Sequence, residues 1–208
     1  MRLRDKARPM APPMEAGVYF AVCTIIADVG DQYNENFKNT NRQLVLGFDI
    51  PSETIEVDGE LKPRQLSRWF TFAYSKKSNL FKVLSSWIGV TNEDALADYD
   101  LYELAGQGCQ VQVAINDKGR NIINALMALP RGVPAPVSSN PVITYDIDED
   151  GFDGPRWDAL PEWIKNAVMK SEQYKDRGED KPLDMPEDVT TPAVPAPTVE
   201  AQKKVCPF

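Results

Sequence analysis

The sequence predicts a mainly β fold, in which five strands form a small Greek-key barrel and a helical segment separates the third strand from the fourth. Three observations lead to this prediction. Five segments place apolar residues at alternate positions, which is typical of strands with one buried face. One segment between the third and fourth of them has apolar residues at helical spacing. No apolar run approaches the roughly 20 residues that a membrane-spanning helix needs.

The first two strands are predicted on either side of a polar loop. Residues 17–30 alternate, and the apolar face is formed by even-numbered residues: Val18, Phe20, Val22 and Ile26. Residues 31–41 are polar and rich in turn-forming residues, so they are expected to form the loop. The second strand covers residues 42–50, and its apolar face is again even-numbered: Leu44, Leu46, Phe48 and Ile50.

The third strand follows a charged connection, residues 51–65, in which Asp58-Gly59 predicts a hairpin turn. Residues 66–74 form the strand, with Phe70, Phe72 and Tyr74 expected on the core face and Trp69 and Thr71 on the exposed face. Apolar residues then recur at helical spacing up to residue 88. Ser78 is expected to cap this helix, and Gly89 to end it.

The remaining elements complete the barrel. Residues 92–106 are expected to form a short helical stretch and a loop. The fourth strand covers residues 108–117, a tight turn follows at 117–119, and the fifth strand covers residues 120–130. Three strands, a helical segment and two strands is the element order of the OB-fold. Small α+β sandwiches match the same order, so this alternative stays open.

Five regions are predicted along the chain: a flexible N-terminal arm at 1–15, the OB-fold domain at 16–132, a Pro-rich acidic linker at 133–158, a helix at 159–174, and a disordered acidic tail at 175–208 that ends in Cys-Pro-Phe. Residues 1–132 carry 15 Lys and Arg and 16 Asp and Glu, whereas the rest of the chain carries 8 and 15. Because the acidity belongs to the C-terminal part, the body can carry a cationic groove.

The chain resembles a family of phage single-stranded-DNA-binding proteins with an OB-fold. The resemblance covers about residues 15–175 and rests on the order and spacing of five segments: GVYFAVCTIIADVG, LVLGFDIP, RWFTFAYSKKSNLFKVLSSWIG, DLYELAGQGCQVQVAINDKGRNIINALMALPRG and LPEWIKNAVMKSEQY. It implies a protein that coats and protects single strands without sequence specificity. Its role would lie in phage DNA replication, recombination or repair, in the cytoplasm of an infected bacterium.

The third strand holds the leading candidate for base stacking. Single-stranded DNA is bound by aromatic faces that stack on bases and by cations along the backbone. Trp69 is expected to be exposed on the barrel wall beside Arg68 and Thr71. The alternative for Trp69 is packing beneath a loop or beneath the N-terminal arm.

The loops supply the other candidates for DNA contact. Tyr33, Phe37 and Lys38 lie in the first loop, where the aromatic residues either fold over a bound strand or anchor the loop to the barrel. The remaining expected phosphate contacts come from scattered cations: Arg42, Arg64, Lys76, Lys77, Lys118 and Arg120. For any one of these cations, a solvated surface position is the alternative.

The C-terminal tip suggests a protein partner. Val205, Cys206, Pro207 and Phe208 are similar to the hydrophobic-Pro-Phe tip with which bacterial single-stranded-DNA-binding proteins dock other proteins. The resemblance implies recruitment of replication or repair proteins. Lys203 and Lys204 precede the tip where that family has acids, and an arbitrary end to a disordered tail is the alternative.

Enzyme activity, a cofactor and a metal site are not expected. The chain has no histidine, which removes Ser–His and Cys–His pairs, and it has no phosphate-binding GxxxxGK[ST] loop. Asp146, Asp148, Asp150 and Gly151 begin like a calcium loop, but Trp157 stands where the bidentate Glu belongs, so an acidic linker is the better interpretation.

Other partners and functions stay open at this point. No membrane partner is expected, whereas a homo-oligomer is left open, as are the DNA-versus-RNA preference and strand annealing. The alternative function is a protein-interaction or virion structural module built on a small β-barrel.

Overall fold

The computed structural model describes residues 12–57 and 59–177, and it confirms the mainly β class. Six strands form one open sheet: β1 Gly17–Asn34, β2 Asn39–Val57, β3 Glu60–Thr71, β4 Gly108–Ile115, β5 Asn121–Met127 and β6 Ile143–Tyr145. Five of them pair antiparallel in the order β3-β2-β1-β4-β5. The short β6 pairs parallel with the middle of β1. The predicted succession of three strands, a helical segment and two strands is therefore present.

The helices of the described residues are short. They are α1 Asn79–Ile88, α2 Glu93–Ala97, a 3₁₀-helix Leu101–Leu104, α3 Ile147–Asp150, α4 Pro155–Ala159, α5 Glu162–Val168 and α6 Glu172–Asp176. The ends of α1 are those predicted: the Ser78 side chain accepts a hydrogen bond from the Phe81 N–H, and Gly89 has φ +79°. Within residues 12–57 and 59–177, no helix is long and apolar enough to cross a membrane.

Strand β1 does not use the predicted apolar face throughout. Val18 and Phe20 are 54% and 46% exposed, whereas Ala21 and Cys23 belong to the main core. The register with β2 shifts between Cys23 and Ile25, which returns Ile26 to that core. Both faces of this strand are apolar in the sequence, so alternation alone could not select the buried one.

Both hairpins are longer than the sequence predicts. The expected loop at 31–41 is mostly strand, because pairing continues from Asp31 with Arg42 to Asn34 with Asn39. Much of the expected connection at 51–65 is also strand, and Gly59 has φ +84° at the predicted hairpin turn. Backbone pairing extends these strands beyond the core, where most side chains are polar and the apolar pattern of a half-buried strand is weak.

Strand β3 ends earlier than predicted, and this changes the expected core. Phe70 is 2% exposed, as expected, but the strand stops at Thr71. Phe72 is half-buried at the margin of the core, and Tyr74 is 49% exposed, so the prediction of Tyr74 as a core residue is wrong. Alternation of side chains across a sheet applies only as far as the strand continues.

The predicted linker and C-terminal helix instead form a cover over the outer face of the sheet. The segment 133–158 contains β6 and α3 and begins α4, and the predicted helix at 159–174 is divided into α5 and α6, with Ser171 capping α6. A second core, which we call the outer core, joins β1 and β2 to this cover: Ile25, Ala27, Val29, Val45, Tyr145, Ile147, Leu160, Ile164 and Val168. Prolines and acids around the apolar residues gave the segment a linker-like composition.

The end of the predicted N-terminal arm is attached to the sheet. Met14 is 3% exposed, its N–H donates to the Asn121 side chain at 2.7 Å, and its carbonyl accepts from the same side chain at 3.0 Å. The prediction that the whole segment 1–15 is flexible is therefore wrong at Met14. The disordered tail was predicted to begin at residue 175, but Lys175 and Asp176 belong to α6. The start of the arm, residues 178–208 and the tip at Val205 to Phe208 lie outside the described residues.

The two described cysteines are expected to be unreactive in the native protein. Burial raises the pKa of Cys23 to about 12 and also raises the pKa of Cys109 above its usual value. In a Cys206→Ser variant at pH 8, an aromatic disulfide reagent should label neither thiol until denaturant unfolds the chain. Rapid labelling of either thiol in the native protein would contradict the burial.

Candidate nucleic-acid interface

An open groove lies between the end of the β1–β2 hairpin and the outer face of β2 and β3. Its volume is about 490 Å³. Four of the predicted DNA-binding residues line it: Tyr33, Phe37, Trp69 and Thr71. We call it the aromatic groove. These residues are separated in sequence by the whole of β2, and the antiparallel pairing of β1, β2 and β3 brings them together.

The hairpin end holds its aromatic residues away from the core. The Asn34 side chain accepts hydrogen bonds from the N–H groups of Asn36 and Phe37, at 3.0 and 3.3 Å, which closes the turn. Lys38 follows in the left-handed conformation, with φ +52°. Phe37 is 76% exposed and Tyr33 is 55% exposed. Their rings therefore present free faces at the mouth of the groove.

Trp69 forms the floor of the groove and is 44% exposed. It lies opposite Val45 of β2, and its ring centroid is 6.4 Å from that of Trp163 in α5. The cover packs against one side of Trp69 and leaves the other side open. Trp69 is therefore partly exposed, as expected, and it packs against α5 instead of beneath a loop or the N-terminal arm.

Amide side chains in the groove were missed by the sequence interpretation. Gln32, Asn39, Asn41 and Gln43 all line it. The signal was present in β2, because Asn39, Asn41 and Gln43 recur at every second residue and so share one strand face. An amide offers both donors and an acceptor, which suits the edges of unpaired bases.

The groove itself carries little positive charge. Glu35 lines it, and the Thr40 hydroxyl, near its rim, donates to Glu172 at 2.9 Å. Lys38 is the predicted cation within the same hairpin end. Stacking and hydrogen bonding would therefore contribute more to binding in this groove than ionic attraction does.

Two of the predicted phosphate-binding arginines are engaged elsewhere. The Arg42 Nε lies 2.6 Å from Asp28 Oδ2, and its Nη2 lies 2.7 Å from Asp148 Oδ2. The Arg68 Nη1 donates to the Asn124 carbonyl at 3.0 Å, and its guanidinium lies 5.2 Å from the centre of the Phe70 ring. Neither side chain lines the aromatic groove.

The other cations lie in separate places. Arg64 and Arg120 line a second open groove of about 250 Å³, which we call the arginine groove, beside the β4–β5 turn. Lys118 is exposed in that turn. Lys76 and Lys77 are exposed before α1, where the Glu93 carboxylate accepts from the Lys76 N–H at 2.7 Å. The predicted cations are thus distributed over the sheet and the segments that connect its strands, and they do not form one patch.

Comparison with known proteins identifies no relative of this chain. No protein-family model matches the sequence. No match was found among curated proteins, and none among solved structures.

Proposed function

We propose that the protein binds and protects single-stranded DNA without sequence specificity, as a non-enzymatic accessory in phage DNA replication or recombination. The observation that carries this proposal is the aromatic groove, which collects Tyr33, Phe37 and Trp69 on one accessible surface. Each base that stacks on an aromatic ring contributes about 1–3 kcal/mol, whatever its identity. The amides around the rings would bind base edges, and Lys38 a phosphate.

The scaffold that we propose for this site is an OB-fold barrel. Two observations support it: the strand order β3-β2-β1-β4-β5, and a hydrogen bond that joins the outermost strands, from Arg68 of β3 to the Asn124 carbonyl of β5. In OB-folds the loop between the first two strands flanks the binding face. The β1–β2 hairpin end, with Tyr33 and Phe37, has that position here.

A titration with oligonucleotides tests the proposal. A fluorescently labelled (dT) strand of about 30 nucleotides should raise its anisotropy on binding at about 50 mM salt, and binding should weaken at about 200 mM through counterion release. A duplex of equal length should bind much less, because its bases are stacked on each other. Equal binding of duplex and single strand, or no binding of either, would exclude the proposal.

The arginine groove is expected to extend the path of the bound strand. A double variant, Arg64→Gln with Arg120→Gln, should reduce the steepness of the salt dependence by about 1.4, since each phosphate contact on a single strand contributes about 0.7. The measurement is affinity for the same oligonucleotide at several salt concentrations. A matched double variant, Lys62→Gln with Arg131→Gln, should leave the slope unchanged, and an equal loss in both variants would indicate only a general charge effect.

One surface favours the second candidate function, a protein-interaction or virion structural module. Residues 17–22, 108–116 and 121–129 contain no charged residue. They form neighbouring parts of β1, β4 and β5, and they expose Val18, Phe20 and Ile122 by 54%, 46% and 41%. An uncharged apolar face on an acidic protein is suited to protein contact. This candidate would be favoured if the protein bound a partner protein with an affinity that does not depend on salt and did not bind DNA.

We also propose that the C-terminal tip recruits replication or repair proteins. The support is the likeness of Val205 to Phe208 to the docking tip of bacterial single-stranded-DNA-binding proteins. Removal of these four residues should abolish capture of such partners while leaving the affinity for oligonucleotide intact. Equal partner capture by the full-length and shortened proteins would exclude this role.

A further inference from the structure

A further cavity, of about 180 Å³, lies between α2, the 3₁₀-helix, strands β1 and β2, the segment after β3 and the end of β6. Its walls include five aromatic rings: Phe72, Tyr74, Tyr99, Tyr102 and Tyr145. We call it the tyrosine cavity. It is separate from the aromatic groove, because Leu44 lines the cavity whereas its neighbour Gln43 lines the groove, and successive residues of a strand point to opposite faces.

The cavity is large enough for a planar group. An apolar cavity of about 150 Å³ is known to hold benzene, and the tyrosine cavity is slightly larger and open to solvent. Tyr74 is 49% exposed at its mouth. A side chain that entered would meet ring faces, which attract cations through the ring quadrupole.

Carboxylates give the cavity a negative potential. Asp28, Asp100 and Asp146 all line it, and Asp28 is 5% exposed. Burial, followed by the charges of Glu103 and Asp100, raises the pKa of Tyr99. Burial, followed by Asp146 and other nearby acids, likewise raises the pKa of Tyr102. Phosphate would be repelled here, and a cation would be attracted.

The chain already places one guanidinium at the edge of this cavity. Arg42 is paired with Asp28 at 2.6 Å and with Asp148 at 2.7 Å, and it lies 5.9 Å from the centre of the Phe72 ring. This arrangement shows that the wall accepts a cation between a carboxylate and an aromatic ring. Arg42 also lies 3.9 Å from the Asp146 carboxylate, so among the three carboxylates of the cavity wall only Asp100 has no ion pair within the described residues.

One polar group in the wall lacks a partner. Within the described residues, the Tyr102 hydroxyl is buried and makes no hydrogen bond. Arg156 lies near this hydroxyl, but its guanidinium is hydrogen-bonded to Asp150 at 3.3 Å. The hydroxyl is also shielded from solvent, so it forms part of the cavity wall and is not open to a ligand.

We propose that the tyrosine cavity binds the guanidinium group of an arginine side chain carried by a partner protein. The planar cation would stack on Tyr99 or Tyr74 and pair with Asp100. Charge complementarity selects this occupant: the cavity is aromatic and acidic, which excludes the phosphates of DNA and favours a delocalised cation. The site is independent of the aromatic groove and gives the protein a receptor for a basic segment.

Nuclear magnetic resonance of the full-length protein tests the proposal with a matched pair of small probes. N-acetylarginine amide should produce saturable shifts in the amide signals of Tyr99 and Tyr102. N-acetylcitrulline amide has the same shape without the charge and should bind at least about tenfold more weakly. Equal binding of the two probes, or no saturable shift with the arginine probe, would overturn the proposal.

Two variants locate the site and guard against loss of folding. Asp100→Asn retains the side-chain oxygen that accepts from the Tyr102 N–H, so the 3₁₀-helix should persist while arginine affinity falls at least about fivefold. Asp98→Asn, at the end of α2 and outside the cavity lining, should leave the affinity unchanged. Equal loss in both variants would overturn the assignment to this cavity.

A further titration separates this cavity from the DNA path. The (dT) strand should shift signals around Trp69 and leave those of Tyr99 and Tyr102 in place. If the oligonucleotide shifts Tyr99 and Tyr102 and the arginine probe does not, the cavity belongs to the nucleic-acid path and the proposal fails. Failure of DNA binding alone would exclude the proposed function and leave the arginine site standing.

Discussion

Replacement of Trp69 by alanine is expected to weaken binding of a (dT) strand of about 30 nucleotides by roughly 5- to 150-fold. The factor corresponds to the loss of one stacked base, about 1–3 kcal/mol. Trp69 lines the aromatic groove and is 44% exposed, and its indole is the largest ring in that lining. Anisotropy of a labelled oligonucleotide measures the affinity without depending on the fluorescence of the removed tryptophan.

A matched control separates the position of Trp69 from aromatic exposure in general. Phe20 is 46% exposed and Trp69 is 44% exposed, but Phe20 lies on the uncharged face of β1 and not in the groove. Phe20→Ala should bind the oligonucleotide as the unaltered protein does, and Trp69→Phe should retain most of the affinity. If Phe20→Ala loses more affinity than Trp69→Ala, the strand lies across the uncharged face and the assigned interface is wrong.

Replacement of Ile164 by alanine is expected to lower the free energy of unfolding by about 2–5 kcal/mol. Ile164 is fully buried in the outer core, between α5 and the sheet, and a shortened side chain leaves a cavity there. Denaturant unfolding followed by circular dichroism measures the change. The prediction tests whether the cover is part of the folded unit or an appendage.

The control for this prediction lies in the same helix. Asn166 is exposed in α5, so Asn166→Ala should change the free energy of unfolding by less than about 0.5 kcal/mol. Equal, small effects of the two substitutions would show that α5 does not pack on the sheet. If Ile164→Ala is destabilising as expected, a fragment that ends at Gly132 would expose the outer core. Truncated proteins made to study the tail should therefore retain all residues up to 177.

The sequence predicted those elements whose signals are local. Ser78 and Gly89 defined α1 because a cap and a left-handed glycine are determined by neighbouring residues. The extent of the hairpins could not be predicted, since Asn39, Asn41 and Glu56 are polar residues that only the backbone pairing across each hairpin holds in strands. The cover was predicted only as a linker and a helix, because its apolar residues stand among prolines and acids and form a core only against the second face of β1.

The candidate site was predicted in part on the same grounds. Trp69 and Thr71 were placed correctly on an exposed face, because alternation holds within β3. Tyr33 and Phe37 were selected as aromatic residues in a polar segment, and the structure adds that they line the same groove as Trp69. The arginines could not be assigned, since only tertiary structure shows that Arg42 faces Asp28 and that Arg68 bridges to Asn124.

Strand β1 is buried on both of its faces, and this has a consequence for the synthesis of the chain. Residues 21–30 are buried in succession, and their partners come from β2, β4, β6 and the cover, which extends to residue 168. Ile25 leaves the ribosome about 140 residues before Val168. At about 5–20 residues per second, the outer face of β1 stays unsheltered for roughly 7 to 30 s during synthesis. That interval is long enough for chaperones to bind the nascent strand. Substitutions that make this face more apolar should therefore reduce the yield of folded protein more than they reduce its free energy of unfolding.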